Sequence, residues 1–346
     1  MDTDKFINRS TSYASFPLAG NHYGKRLRAS SESSRTDRSD LSQSHTYELL
    51  SKLFISISVL IFMMSCTQTP PADKGKTYKI GYMICNSEQE TLQRFKPFTA
   101  YLSKKLGVRF EAVALDTSDF TKHVDELDFT HTNSLLYVIM NRNNGVDILA
   151  AEKSGSLGAR VKGLIIASKK SGIKSVQELK GKTMIFGPSL GPTSFMAQLD
   201  ILMKNGVDPE NDLAYYSIPA GSFKHEKVIY GVLFGKYDAG AAPLLDYERM
   251  IADGRIDPAD FTVLAEGEPI PYCNFAVTQK IPDDFAKKFK EVLLNIKKDD
   301  TVELDGEVIK VLERAHIDGY EDVKDADFDG IRDMAKRTNM PPYQRY

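Results

Sequence analysis

Gly187-Pro-Ser-Leu-Gly191 is the run whose residue types could do chemistry most directly, because it fits the G-x-S-x-G pattern that presents a serine on a sharp strand-to-helix turn. A hydrolase of that kind needs an acid and then a histidine downstream, for which Asp238 or Asp246 with His316 are the candidates. Two features count against it. No HGG-type oxyanion segment follows an early strand, and Pro192 sets the helix start three residues beyond Ser189 instead of directly after the nucleophile. The same stretch supports a different chemistry. A strand-like apolar run from Lys182 breaks at Gly187 and a helix starts at Pro192, so Thr193, Ser194 and Phe195 present backbone N–H groups with no intrahelical partner. Thr193 and Ser194 add hydroxyls. Such a helix end attracts oxyanions, and facing a cleft it would hold a phosphate-like or carboxylate-like group by backbone dipole instead of a basic side chain.

Other motifs carry less. Gly181-Lys-Thr183 has the end of a phosphate-binding P-loop, but position 176 is Val and strand-like residues follow Thr183. Asp325-Ala-Asp-Phe-Asp-Gly330 matches half of an EF-hand loop, yet its twelfth position is Lys336 where a bidentate Glu is required, and an acidic helix cap is the better reading. No His or Cys grouping has metal-ligand spacing, so neither metal nor cofactor is expected. His225 and Glu226 open a helix and Asp238 stands at the edge of the next strand. By composition alone, a histidine at a helix start reads as a capping or solvated residue.

The positioning elements fit in a chain of 346 residues, enough for about two domains, and 42% apolar residues fill ordinary cores. Lys plus Arg number 45 against 47 Asp plus Glu, a balance that argues against nucleic-acid binding. Residues 1–45 are polar and read as a disordered leader or a mis-assigned start. Leu53 to Ser65 is a continuous apolar run, too short for the ~20 residues of a spanning helix but the length of a signal-peptide core. With Ser65 before Cys66, the segment 46–65 resembles a bacterial lipoprotein signal, Cys66 being the lipidated residue and 66–76 a tether; a signal anchor with a free cysteine is the alternative. Either places the body outside the cytoplasmic membrane. Cys85 and Cys273 each end a strand and could pair or stay as buried thiols.

From Thr77 onward strands and helices alternate. Strands are expected at 78–84, 108–114, 163–168, 182–186, 238–242, 261–265 and 274–278. Helices are expected at 89–106, ended by Gly107, then from 119, at 192–205, 225–234, 244–252 and 283–297. The order argues for parallel sheets covered by helices, an α/β fold.

Leu179-Lys-Gly-Lys-Thr-Met-Ile-Phe-Gly187 with Thr193-Ser194, then His225-Glu226 through Gly235-Lys-Tyr-Asp-Ala-Gly240, then Ile270-Pro-Tyr272, resemble in order and spacing the phosphate/phosphite/phosphonate-type substrate-binding proteins of ABC importers. The resemblance runs from about Lys79 to about Lys336. It implies a two-lobed, type II periplasmic-binding fold with two crossovers that closes on its ligand. The first lobe would hold 77–170 and 270–346, the second 171–269. It also implies a monomer that breaks no bond and delivers a small phosphorus oxyanion (phosphonate, phosphite or phosphate) to an ABC permease; a ligand sensor on the same fold is the alternative role. The ligand's head would lie against Thr193 and Ser194, and the family's His and acidic pair map onto His225, Glu226 and Asp238. Three departures stand out. The family's Ser-Thr-Ser run is Pro192-Thr-Ser194, an aromatic hydroxyl maps onto Phe120, and a Tyr is replaced by His131 in Thr130-His-Thr-Asn133. Asn133, His131 and Tyr137 are the expected first-lobe contacts.

Overall fold

The computed structural model describes residues 75–219 and 225–345; the leader, the apolar run and Cys66 lie outside that range. β1 (Thr77–Met83) leads to α1 (Glu88–Leu106), which starts where Ser87 accepts a hydrogen bond from the Glu90 amide. It stops at Gly107, where φ is 66°, a left-handed turn that glycine enters without steric cost. β2 (Arg109–Leu115), a short α2 (Phe120–His123), β3 (Phe129–Thr132), α3 (Ser134–Asn144) and β4 (Asp147–Lys153) follow. The chain then crosses through β5 (Arg160–Val161) into β6 (Gly163–Ser168) and β7 (Thr183–Ile185). A wide π-turn, Pro192–Met196, runs directly into α4 (Ala197–Lys204), followed by α5 (Pro209–Asp212), β8 (Tyr215–Ser217) and α6 (His225–Leu233). β9 (Ala239–Pro243), α7 (Leu244–Ala252) and β10 (Phe261–Glu266) complete this excursion. The chain returns through β11 (Ile270–Pro271) to β12 (Asn274–Val277), α8 (Asp283–Asn295), the hairpin β13 (Thr301–Leu304) and β14 (Glu307–Lys310), α9 (Val311–Ala315), β15 (Gly319–Asp322) and α10 (Asp329–Arg337).

Two sheets result, ordered β15-β4-β12-β3-β1-β2 and β10-β6-β9-β7-β8. They follow one plan: the second, first and third strands of each excursion lie side by side and parallel, and the next strand is one that has just crossed over. β12 runs antiparallel to β3 and β4, and β6 antiparallel to β9 and β10. The two crossings pair with each other, Val161 opposite Ile270 and Arg160 opposite Pro271, and form a short two-stranded connection between the lobes. This pairing corrects the expected boundary: strand 163–168, assigned to the first lobe, hydrogen-bonds wholly within the second sheet, so the crossing lies at 160–161 and not after 170.

The cores differ. Phe98, Phe110, Phe129, Phe275, Phe285 and Phe289 are buried together in the first lobe, with Phe129 and Phe289 stacked at 4.0 Å between ring centres. The second lobe is mostly aliphatic, with Ile165, Met184 and Leu202 on one face of its sheet and Ile166, Val228 and Val232 on the other. Carboxyl ends of the parallel strands in an open α/β sheet are where crevices form, and both lobes present that edge to each other.

Candidate functional site

On the second lobe, β7 ends at Ile185 and the chain turns through Gly187–Gly191 before the helix begins. The Gly187 amide donates to the Ser194 carbonyl at 2.8 Å and the Gly191 amide to the Pro188 carbonyl at 2.8 Å, which folds the turn back on the helix. Phe195 and Met196 amides both donate to the Gly191 carbonyl at 3.1 Å. Thr193 and Ser194, at the second and third positions, therefore carry the first-turn amides that no helical carbonyl can reach. Both residues are buried. The Ser194 hydroxyl, however, is turned into its own loop. A Cβ added at Gly191 would sit 2.1 Å from Ser194 Oγ and one at Gly187 would sit 2.6 Å from it, so both positions need glycine for space. That hydroxyl has no hydrogen-bond partner among the described residues.

The first lobe brings a second helix start to the same place. Asn133 caps α3, its Oδ1 accepting from the Leu136 amide at 2.9 Å, while its Nδ2 donates across the lobes to the Leu190 carbonyl at 3.1 Å. Two helix N-termini, from opposite lobes, thus meet at Asn133 and Leu190, and both aim positive dipole ends at one region. Beside this contact is a crevice of about 200 Å³, lined by Asp116, Thr117 and Ser118 after β2, by Pro188, Ser189 and Leu190, and by Ile218 and Pro219 after β8. Nearby polar atoms are unspent: Thr132 Oγ1, Ser134 Oγ and Asn274 Oδ1 are buried without a hydrogen-bond partner among the described residues. Thr132 and Asn274 are register partners on neighbouring strands. Thr117 and Ser118 were not singled out from the sequence. They follow a strand at its carboxyl end, and that placement was the available signal.

The other expected residues scatter. His131 lies on β3 one position before Thr132, its ring packed against Phe95 and Phe275 and its Nε2 3.0 Å from the buried Glu152 carboxylate. It is part of the first-lobe core and faces away from Thr132. Phe120 is fully buried, and a Cβ on Gly81 of β1 would meet its ring at 2.9 Å. It supports the sheet and does not face the crevice. Tyr137 is also fully buried, its hydroxyl donating to Asp325 Oδ1 at 2.6 Å; burial first, then that bond to an acid, pushes its ionisation far up. Asp238 sits at the amino ends of β7 and β9, the sheet edge opposite the helix start, with Oδ2 accepting from the Thr183 amide at 2.9 Å and hydroxyl at 2.8 Å. Glu226 is taken by Arg255, with Nη1 3.0 Å from Oε1. His225 begins α6, and its Nδ1 is buried without a partner among the described residues. Thr193, Ser194 and Asn133 thus stand where the two helix starts meet and His225 opens α6 with an Nδ1 unpartnered among the described residues, whereas Phe120, His131, Tyr137 and Asp238 serve the fold and Glu226 is already paired.

Among the described residues no serine-hydrolase triad forms. Ser189 shares its crevice with no histidine among the described residues, and Asp238 lies at the far sheet edge. Cys85 and Cys273 are unpaired thiols, and burial raises both, Cys85 to about 11, so they stay protonated. A larger concavity, about 700 Å³, lies behind α4, floored by Phe186, Phe195, Leu199 and Met203 and rimmed by Asp208, Glu210 and Asp212. Its apolar floor offers an oxyanion no donor, and its acidic rim would repel one.

Residues 80–328 match the model of a family described as the phosphonate periplasmic substrate-binding protein of ABC transporters. Among solved structures, PhnD1 of Prochlorococcus marinus in complex with methylphosphonate superposes with a TM-score of 0.64 at 16% identity, over 76% of this chain and 98% of its own. A binding component of an ABC phosphonate transporter from Pseudomonas aeruginosa gives 0.62 at 17%, over 77% and 87%. The XAC2383 protein of Xanthomonas citri, bound to ATP, gives 0.62 at 16%, over 76% and 98%. At these identities the structures establish the shared two-lobed fold.

Proposed function

The chain belongs to the periplasmic phosphonate-binding family of ABC transporters, and on that footing we propose that it captures a small phosphorus oxyanion (phosphonate, phosphite or phosphate) between its lobes and delivers it to a membrane permease without breaking a bond. The observation that carries the reading is the meeting of two helix starts, the Pro192–Met196 turn and α3, across the Asn133 to Leu190 hydrogen bond. Oxyanion recognition then falls to the amides of Thr193 and Ser194, the Thr193 hydroxyl, the amides at the start of α3, and His225. Polar groups buried without a partner in the protein are costly, and an anion that accepts from several at once offsets that cost.

Among the described residues no helix is long and apolar enough to cross a membrane. A lipid on Cys66 supplies the attachment in this reading, with 66–76 as the tether of a monomeric receptor. Substituting Cys66→Ala should then release the protein from the membrane fraction. A thermal-shift and calorimetric panel of methylphosphonate, phosphite, phosphate and sulfate tests the ligand class, since a ligand that binds only the folded form raises the melting temperature by mass action. Stabilisation by at least one phosphorus oxyanion is expected. No response to any of them would overturn the reading.

A further inference from the structure

The first lobe reaches the helix of the proposed site a second time. α10 packs on α3 of its own lobe and, on its other side, on α4 and the Pro192–Met196 turn of the second lobe. Ile331 and Met334 share a buried apolar cluster with Met196 and Ala197. At the last residue of α10, Arg337 grips Asp200 with both arms: Nε donates to Oδ1 at 2.7 Å and Nη2 to Oδ2 at 3.1 Å, the planar fork that matches a carboxylate. The Asp200 side chain is only 6% exposed and also takes Lys204 Nζ at 2.7 Å. Burial works against its charge, and the bonds from Arg337 and Lys204 outweigh it, leaving the carboxyl below its usual range. Asp200 stands two helical turns after Thr193, on the same continuous helix.

α10 is itself fastened to the first lobe. Arg332 pairs with Asp325 and donates to Asn141 Oδ1 of α3 at 3.1 Å, and Asp325 accepts from Tyr137 of the same helix. Beyond α10, the Tyr343 ring lies 4.6 Å from the Arg142 guanidinium carbon. The helix therefore belongs mechanically to the first lobe while its last residue holds the second. An opening about the β5–β11 connection that parted α4 from α10 would stretch the Arg337–Asp200 pair and leave the anchor on α3 in place.

We propose that α10 is an interlobe strap and that Asp200 and Arg337 are positioning residues, holding the oxyanion-binding helix against the first lobe and so favouring the closed arrangement without touching ligand. The inference rests on the proposed reading that ligand lies at the Pro192–Met196 helix start. A contact made in only one of two states shifts the equilibrium toward that state, and ligand affinity shifts with it.

The test is a double-mutant cycle with D200N, R337Q and the combined variant, read in two ways. Calorimetry with methylphosphonate, or whichever of phosphite and phosphate binds, should give affinities roughly three- to tenfold weaker in each single variant and no weaker in the double. Nitroxide labels on cysteines introduced by Lys236→Cys and Lys288→Cys, exposed positions on the second and first lobes, should show a longer-distance population in ligand-free D200N that the parent lacks. Unchanged affinity with an unchanged distance distribution overturns the strap, even if melting temperature falls, because the pair would then serve folding alone. Affinity loss without the longer population overturns it too. If the parent binds none of the oxyanions, the ligand reading fails and the distance measurement still decides the strap.

Discussion

The two edges of the second-lobe sheet carry polar residues of similar kind and use them in opposite ways. At the amino edge, Asp238 accepts from both the Thr183 amide and hydroxyl, and its own amide returns to the Thr183 carbonyl at 3.1 Å. That ring is closed, with no donor left for a ligand. At the carboxyl edge, the first-turn amides of Thr193 and Ser194 have no helical carbonyl to meet, and the Nδ1 of His225 is buried without a partner among the described residues. A polar residue next to a strand is thus a site candidate only if the fold leaves it unspent and the edge opens toward the other lobe.

Substitutions can break this contrast, beginning with the largest effect. Gly191→Val should damage both stability and binding: its Cβ would lie 2.1 Å from Ser194 Oγ and 2.9 Å from the Pro188 carbonyl, an overpacking expected to cost ~3 kcal/mol in denaturant unfolding. Asp238→Ala separates the two properties. It orphans the Thr183 amide and hydroxyl and should lower stability by about 2 kcal/mol, with oxyanion affinity unchanged in calorimetry. Thr193→Ala should do the reverse, weakening affinity about fivefold to tenfold, with a melting temperature within a degree or two of the parent. Ser194→Ala sharpens the comparison at its finest grain. Its hydroxyl is buried, without a partner among the described residues and turned into the loop, so its removal should change affinity less than twofold and leave stability equal or higher by a few tenths of a kcal/mol.

Much of the framework was legible in the chain. The break at Gly187 and the proline at 192 located the helix start, and strand 163–168 and helix 244–252 fall where the pattern placed them. Helix Ser134–Asn144 escaped notice because Ser-Leu-Leu-Tyr-Val-Ile-Met is apolar on every side, and a fully buried helix shows no 3.6-residue stripe. Strand 163–168 was placed in the wrong lobe because strand propensity says nothing of pairing partner. Phe120 and Tyr137 show the limit of positional resemblance: an aromatic side chain near a crevice in sequence can point into the core, and only packing decides which. The place of Asp238 is readable from the chain. It precedes its strand, and a residue before a parallel strand lies at the amino edge, away from the crevice.

The central claim is that oxyanion recognition resides at the carboxyl edge, on the helix that starts at Pro192. Titration calorimetry of the parent, Thr193→Ala and Asp238→Ala with the same phosphorus oxyanion tests it most directly. Weakened binding in Thr193→Ala with parental affinity in Asp238→Ala is the predicted result. Parental affinity in Thr193→Ala with binding lost in folded Asp238→Ala would contradict it.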